Sequence, residues 1–219
     1  MQLFISEVVY HGEISGQGDE FVEIWNPSSD TVDVSGWGIG DEEAEGGNEG
    51  MYRLPAEARL PPNGTLVIAR KADAFFERFQ KWPDFAFRAS SEASQPNNVP
   101  QLTKDKTWGS GNWALTDSGD EVLLLDPSNR IVDRIAFRNG EFAALGLTGH
   151  DISAPAPKAI HHVDNLHSNH VNDWVAYDEP TPGQPYLLPD SSTIPPLGPN
   201  FEGLQVAWGS LHSHSTYSD

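Results

Sequence analysis

The segment Phe21-Val22-Glu23-Ile24-Trp25 decides the fold class, because its side chains alternate between two faces of an extended chain. Val22 and Ile24 point to one face, and Phe21, Glu23 and Trp25 point to the other. Such alternation is typical of a strand in a β-sandwich, where one face of each sheet packs into the core. Residues 26–30, Asn-Pro-Ser-Ser-Asp, follow directly and can reverse the chain. The segment therefore predicts one strand of an antiparallel sheet.

Similar segments lie along the first two thirds of the chain. Each is rich in β-branched or aromatic residues and is bounded by turn formers, such as Pro61-Pro62-Asn63-Gly64. The predicted strands are residues 3–9, 21–25, 37–39, 65–69, 122–126 and 131–137. Short strands separated by frequent turns are what a β-sandwich requires.

A helix and a long insertion interrupt these strands. Asp73 is predicted to cap a helix over residues 74–80, which Pro83 ends. Residues 90–113 are polar and have little periodicity, which predicts a long surface insertion. Its tryptophans, Trp108 and Trp113, lie among glycine and polar residues and are predicted to form a surface pair able to stack on sugars or bases. The helix is predicted to gather three side chains on one face, Phe75, Phe76 and Phe79.

Composition excludes several classes of protein. The 219 residues carry 32 acidic and 13 basic side chains, a net charge of −19, and the cations are scattered, so no nucleic acid is expected through a basic patch. No apolar run is long enough for a membrane span. Cysteine is absent, which excludes disulfides and thiolate metal ligands. No signal peptide is visible at the N-terminus. The localisation stays unknown, although the acidity favours a secreted or cell-surface setting.

Six short motifs follow one another along the chain. They are Ile5-Ser6-Glu7-Val8, residues 20–26, Val34-Ser35-Gly36-Trp37, residues 60–64, residues 115–122 and Thr181-Pro182-Gly183-Gln184-Pro185. In this order they resemble the lamin-tail domain in its bacterial form. The resemblance implies an all-β fold over residues 1–187, an immunoglobulin-like β-sandwich with one short helix and long surface loops. It also implies a non-catalytic module of the kind fused to secreted or surface hydrolases and nucleases.

The C-terminal residues have a different character. Residues 188–203 are rich in proline and predict a stiff linker, and residues 204–209 resume a strand. His212 and His214 are two residues apart, so on an extended chain both imidazoles project from one face and can converge on a cation. Asp219 can add an oxygen ligand. Residues 204–219 resemble the opening of a polymerase and histidinol phosphatase (PHP) metallohydrolase domain. The resemblance implies a divalent metal, zinc, manganese or iron, and phosphoester hydrolysis by a longer parent protein.

Two other groups of residues contain side chains that can bind a metal ion. The acidic loop Asp41-Glu42-Glu43-Ala44-Glu45 offers carboxylates to calcium, but a solvated run of charge is the commoner arrangement. The second group offers ligands to zinc, although its asparagines favour a polar loop. It comprises His161, His162, Asp164, His167, His170 and Asp173.

Two smaller motifs indicate little about function. Ser210, His212 and Asp219 supply the residue types of a hydrolase triad, but they lie too close in sequence to be oriented separately. Asn63-Gly64-Thr65 matches a glycosylation sequon, a pattern that is frequent by chance.

Two functions remain open from the sequence. In the first, the sandwich is the accessory module of a PHP-type phosphoesterase, whose catalytic domain is its partner in cis, and these 219 residues are themselves inactive. In the second, it is a stand-alone extracellular adhesion or ligand-binding module for a glycan, a protein or calcium. The reading frame after Asp219 distinguishes them, because the first requires further His and acidic residues there.

Overall fold

The computed structural model describes residues 3–14, 16–88, 99–142, 147–149, 152–163, 173–177 and 179–185. These residues belong to one compact unit, Met1–Tyr186. The predicted linker at residues 188–203 and the predicted metal ligands His212, His214 and Asp219 lie outside the described residues.

The described part of this unit contains fifteen short strands and one helix, α1 (Ala72–Phe79). The strands are β1 (Phe4–Val9), β2 (Phe21–Trp25), β3 (Val32–Asp33), β4 (Gly38–Gly40), β5 (Met51–Arg53), β6 (Arg59–Leu60), β7 (Thr65–Lys71), β8 (Phe85–Arg88), β9 (Thr103–Lys104), β10 (Gly119–Leu125), β11 (Ile131–Arg138), β12 (Glu141–Phe142), β13 (Leu147–Thr148), β14 (Ala159–His162) and β15 (Trp174–Tyr177). All six strands predicted from the sequence are present; the bounds of β2 match, and ends of the other five are displaced by one to three residues.

Two sheets form the sandwich. The six-stranded sheet has the order β15-β14-β1-β2-β7-β8, and the five-stranded sheet has the order β11-β10-β4-β5-β9. Pairing is antiparallel except between β7 and β8. Val22 and Ile24 of the first sheet share one core with Ile39, Val122 and Leu124 of the second. The predicted β-sandwich is confirmed.

The second face of β2 is buried as well as the first. Phe21 lies edge-on to Phe75 and Phe79 of helix α1, with ring centroids 5.4 and 5.5 Å apart. Glu23 accepts a hydrogen bond from the backbone N–H of Gly183 at 2.5 Å. All five residues of β2 are therefore buried, although alternation alone indicated only one face in the core.

Helix α1 differs from its prediction in two ways. Its N-cap is Lys71, and Asp73 lies in the first turn, so the predicted Asp73 cap is wrong. The three phenylalanines do not share one surface, because the consecutive residues Phe75 and Phe76 lie about 100° apart around the helix axis. Phe75 is buried, whereas Phe76 stacks on Trp82 with centroids 4.4 Å apart. Among the described residues, no helix is long and apolar enough to cross a membrane.

The predicted surface pair Trp108 and Trp113 is wrong. Trp113 is fully buried and stacks on Phe87 with ring centroids 4.1 Å apart, and Trp108 is 7% exposed. Glycines surround these tryptophans because the chain passes close to its own backbone: a Cβ on Gly111 would lie 2.0 Å from the carbonyl oxygen of Asn48. The described part of the predicted insertion, residues 99–113, thus packs against the body of the sandwich and contributes β9.

Candidate functional site

An acidic cleft lies beside the start of β10, and its volume is about 560 Å³. The loop at residues 42–49 forms one wall, while β10 and the turn after β11 form the other. Glu121 of β10 shares its strand face with Leu123 and Leu125, which pack outside the main core against Met51 and Trp108. The acidic cleft is lined by residues 42–49, 116, 119–121, 139 and 140.

Asp41 and Glu42 hold the loop in shape. The carboxylate of Asp41 accepts backbone N–H groups from Gly50 and Ala114, both at 2.8 Å. Glu42 accepts the N–H groups of Ala44 at 3.2 Å and of Glu49 at 2.7 Å. These two acids of the predicted calcium loop are therefore already occupied by amide donors.

Two close contacts fix this loop further. The indole N–H of Trp108 donates to the carbonyl oxygen of Glu42 at 2.9 Å. Gly47 lies against the Glu42 carboxylate, where a Cβ would come within 2.0 Å of it. The wall of the acidic cleft is thus positioned by buried groups of the sandwich, which favours a defined binding surface over a mobile charged run.

The other acids of the acidic cleft converge on one point. Glu43, Glu49 and Glu121 each offer a carboxylate oxygen, and these oxygens all lie within 4.8 Å of one another. Glu121 is 6% exposed, while Glu43 and Glu49 are half-buried. Burial, together with the charges of Asp120, Glu43 and Glu49, raises the pKa of Glu121 to about 9. Burial and neighbouring acids likewise raise the pKa of Glu49 to about 7.

Glu121 differs from the other buried acids of this region. Asp120 accepts the backbone N–H groups of Thr116 and Glu121, and Asp41 and Glu42 are paired as described above. Across the described residues, no backbone amide and no basic side chain donates to the carboxyl group of Glu121, which lies against Glu43, another acid. Burial therefore favours the neutral form of Glu121, and its raised pKa keeps the group protonated at neutral pH.

The sequence identified only part of this cluster. Of the predicted calcium loop, Glu43 joins the cluster and Glu45 lines the acidic cleft at an exposed position. Glu49 and Glu121 were missed. The signal for Glu121 was its place in the alternation of β10, where it shares a face with two buried leucines.

The histidine-rich group, for which the sequence favours a polar loop over a zinc site, is not gathered into a metal site among its described members. His161 and His162 are neighbours on β14, so their rings point to opposite faces and cannot share one ion. His162 stacks on Phe4, and burial lowers the pKa of His161 to about 4. Asp173 is buried directly before β15. Asp164, His167 and His170 lie outside the described residues.

The fold defines an immunoglobulin-like β-sandwich, and comparison identifies its family. Residues 1–139 match the Lamin Tail Domain family, and the chain belongs to it. The match ends before the predicted limit of residue 187, but it includes Glu43, Glu49 and Glu121.

One solved structure shows a related fold. A DUF4876 family protein from Bacteroides thetaiotaomicron is 14% identical, with a TM-score of 0.54, over 90% of this chain and 75% of that one. At this identity the likeness concerns the fold alone. No curated protein matches the chain significantly.

Proposed function

We propose that the sandwich is a non-catalytic accessory module that binds a ligand at the acidic cleft, within a larger PHP-type metal-dependent phosphoesterase. The observation that carries the binding role is the cleft itself. Loops on a rigid sheet commonly supply binding residues, and here Asp41 and Glu42 hold such a loop in place. The residues that line the cleft supply carboxylates, amides and a hydroxyl, with no histidine, lysine or cysteine among them.

The catalytic part of the proposal rests on residues 204–219. His212 and His214 are two apart after a predicted strand, which lets both bind one divalent metal, zinc, manganese or iron, and Asp219 supplies a third ligand. A divalent metal held by these residues would supply an activated water for attack on a phosphoester. Residues 1–187 would be the module and residues 188–203 the linker between it and the catalytic domain.

A phosphodiesterase assay with bis-p-nitrophenyl phosphate and Mn²⁺ tests this assignment. The gene product that continues past Asp219 should hydrolyse the ester, and His212→Ala and His214→Ala should each abolish that activity. The 219-residue chain alone should be inactive. A stop codon directly after Asp219, or full activity in both histidine variants, would contradict the assignment.

The second candidate is a stand-alone secreted or cell-surface module that binds a glycan, a protein or calcium. The open acidic cleft favours it, because this surface exists without any catalytic domain. Specific ligands raise the melting temperature of the folded state that binds them. A set of glycans, proteins and cations that leaves the melting temperature of the 219-residue chain unchanged would count against this candidate.

A further inference from the structure

A strap, residues 179–185, lies over three adjacent strands of the six-stranded sheet. In these strands Glu7 of β1 is paired in register with His161 of β14 on one side and with Glu23 of β2 on the other. All three side chains are fully buried. They lie on the face opposite to Val8, which belongs to the main core. The strap is therefore what covers a row of polar side chains on the outer face of the sheet.

Two backbone N–H groups of the strap bond the two acids of this row. The N–H of Thr181 donates to Oε1 of Glu7 at 2.9 Å. Two residues further on, the N–H of Gly183 donates to Oε2 of Glu23 at 2.5 Å. Alternate residues of the strap thus contact successive strands of the sheet.

Other contacts hold the strap at its start and its middle. The backbone of Glu179 is hydrogen-bonded to the ring of His161. Pro182 is buried, and its carbonyl oxygen accepts a hydrogen bond from Nζ of Lys81, which follows helix α1. The strap is therefore attached to four separate parts of the domain.

We propose that the strap is a pH-dependent closure, which stays shut while Glu7 and Glu23 hold their protons and opens as they lose them. The inference goes beyond the proposed function, because it involves neither the acidic cleft nor residues 204–219.

The closed strap disfavours ionisation of both acids. Burial, and after it the charge of Glu23, raises the pKa of Glu7 well above its usual range. Burial likewise raises the pKa of Glu23 to about 7, although hydrogen bonds from Ser6 and Gly183 oppose the rise. Among the described residues, Oε2 of Glu7 is buried without a hydrogen-bond partner, so an ionised Glu7 is incompletely solvated there.

The charged and titratable groups around the two acids do not reverse this preference. His161 Nε2 lies 3.6 Å from Oε1 of Glu7, but burial lowers the pKa of His161 to about 4, so its ring is neutral at neutral pH. The ammonium group of Lys81 lowers the pKa of both acids, but Lys81 is exposed to water. Asp84 raises the pKa of Glu23.

The direction of the pH effect follows from these shifts. Opening returns the acids to water, where the pKa of a glutamate is 4.5. The closed form therefore keeps protons that the open form releases. Between pH 4.5 and pH 7, Glu23 alone should raise the ratio of open to closed strap by up to about tenfold per pH unit.

Opening of the strap has a consequence for the chain that follows. The proposed linker, residues 188–203, begins shortly after the strap, so an open strap would lengthen that linker by seven residues, 179–185. This consequence rests on the proposed function, whereas the strap itself does not.

Amide hydrogen exchange of the 219-residue chain, followed by NMR, tests the closure at the N–H groups of Thr181 and Gly183. Each exchange rate is divided by the intrinsic rate at the same pH, which gives a protection factor that reports the ratio of closed to open strap. We expect the protection factor of Gly183 to fall by about tenfold or more between pH 5 and pH 8. It should be lower than those of the β10 amides at every pH.

Glutamine variants separate the effect of the protons from that of packing. Glu23→Gln keeps an oxygen that can accept the N–H of Gly183, but it does not ionise. Its fall in Gly183 protection between pH 5 and pH 8 should be about threefold smaller than that of wild type, or smaller still. Glu57→Gln is the matched control, because Glu57 is exposed in the turn before β6, and it should retain the full fall.

Any of three results would overturn the proposal. They are pH-independent protection of Thr181 and Gly183 in wild type, the same pH dependence in Glu23→Gln as in wild type, and protection equal to that of the β10 amides at every pH. The last result would mean that the strap opens only when the whole domain unfolds. The wild-type measurement needs no substitution, so it remains decisive where a glutamine variant fails to melt cooperatively.

Discussion

Replacing Glu121 with glutamine should stabilise the calcium-free protein at alkaline pH. The pKa of Glu121 is raised from 4.5 to about 9 in the folded state, because the carboxyl is buried and faces other acids. Between these two values the folded chain holds a proton that the unfolded chain has released. The free energy of unfolding therefore falls as the pH rises from about 5 to about 9.

The size of this effect follows from the same pKa. One group contributes up to about 1.4 kcal/mol per pH unit, so the limit between pH 5 and pH 8 is about 4 kcal/mol. Water can reach the half-buried Glu43 and Glu49 and reduce the penalty, so we expect about 2 kcal/mol. Glutamine has nearly the same shape as glutamate but does not ionise, and its amide can donate to the neighbouring carboxylates.

Urea denaturation followed by tryptophan fluorescence measures the difference, in the presence of EDTA at pH 5 and pH 8. Glu121→Gln should match wild type within about 0.5 kcal/mol at pH 5 and exceed it by about 2 kcal/mol at pH 8. Glu77→Gln corrects for the general loss of one negative charge. A stability gain that is the same at both pH values, or a loss at pH 8, would refute the reasoning.

Three further substitutions test the surroundings of the site and the core. Trp113→Ala removes a fully buried ring stacked on Phe87 and should lower the free energy of unfolding by about 3–5 kcal/mol in urea denaturation. Asp133→Ala leaves the buried N–H of Ile5 without its acceptor and should cost about 1–3 kcal/mol in the same measurement. Gly47→Ala places a Cβ within 2.0 Å of the Glu42 carboxylate and should lower the free energy of unfolding by about 1–3 kcal/mol in the same measurement. Unchanged values in any of these variants would contradict the contact concerned.

The strands could be predicted because their signal is local. Alternation and flanking turn formers mark β2 and β11 without reference to the rest of the chain. The burial of Trp113 could not be predicted in this way, since it depends on a stack with Phe87 of β8, which is distant in sequence. A glycine close to a tryptophan in sequence can indicate either an exposed turn or a close approach of two backbone segments. At Gly111 it is the close approach.

The sequence predicted only part of the acidic cleft, for a similar reason. Glu43 stands out in a run of acids, but Glu121 is one acid in an apolar strand and becomes notable only beside Glu43 and Glu49. Sequence also does not distinguish acids that hold backbone amides, such as Asp41, from acids without donors. That distinction is made by tertiary packing, which brings together residues far apart in the chain.

A crystal structure of the 219-residue chain grown with CaCl₂ is the most direct measurement. If calcium is the ligand of the acidic cleft, as the second candidate function allows, an ion should lie in the cleft with carboxylate oxygens at about 2.3–2.6 Å from it. A cleft that holds only water at saturating calcium would contradict calcium as its ligand.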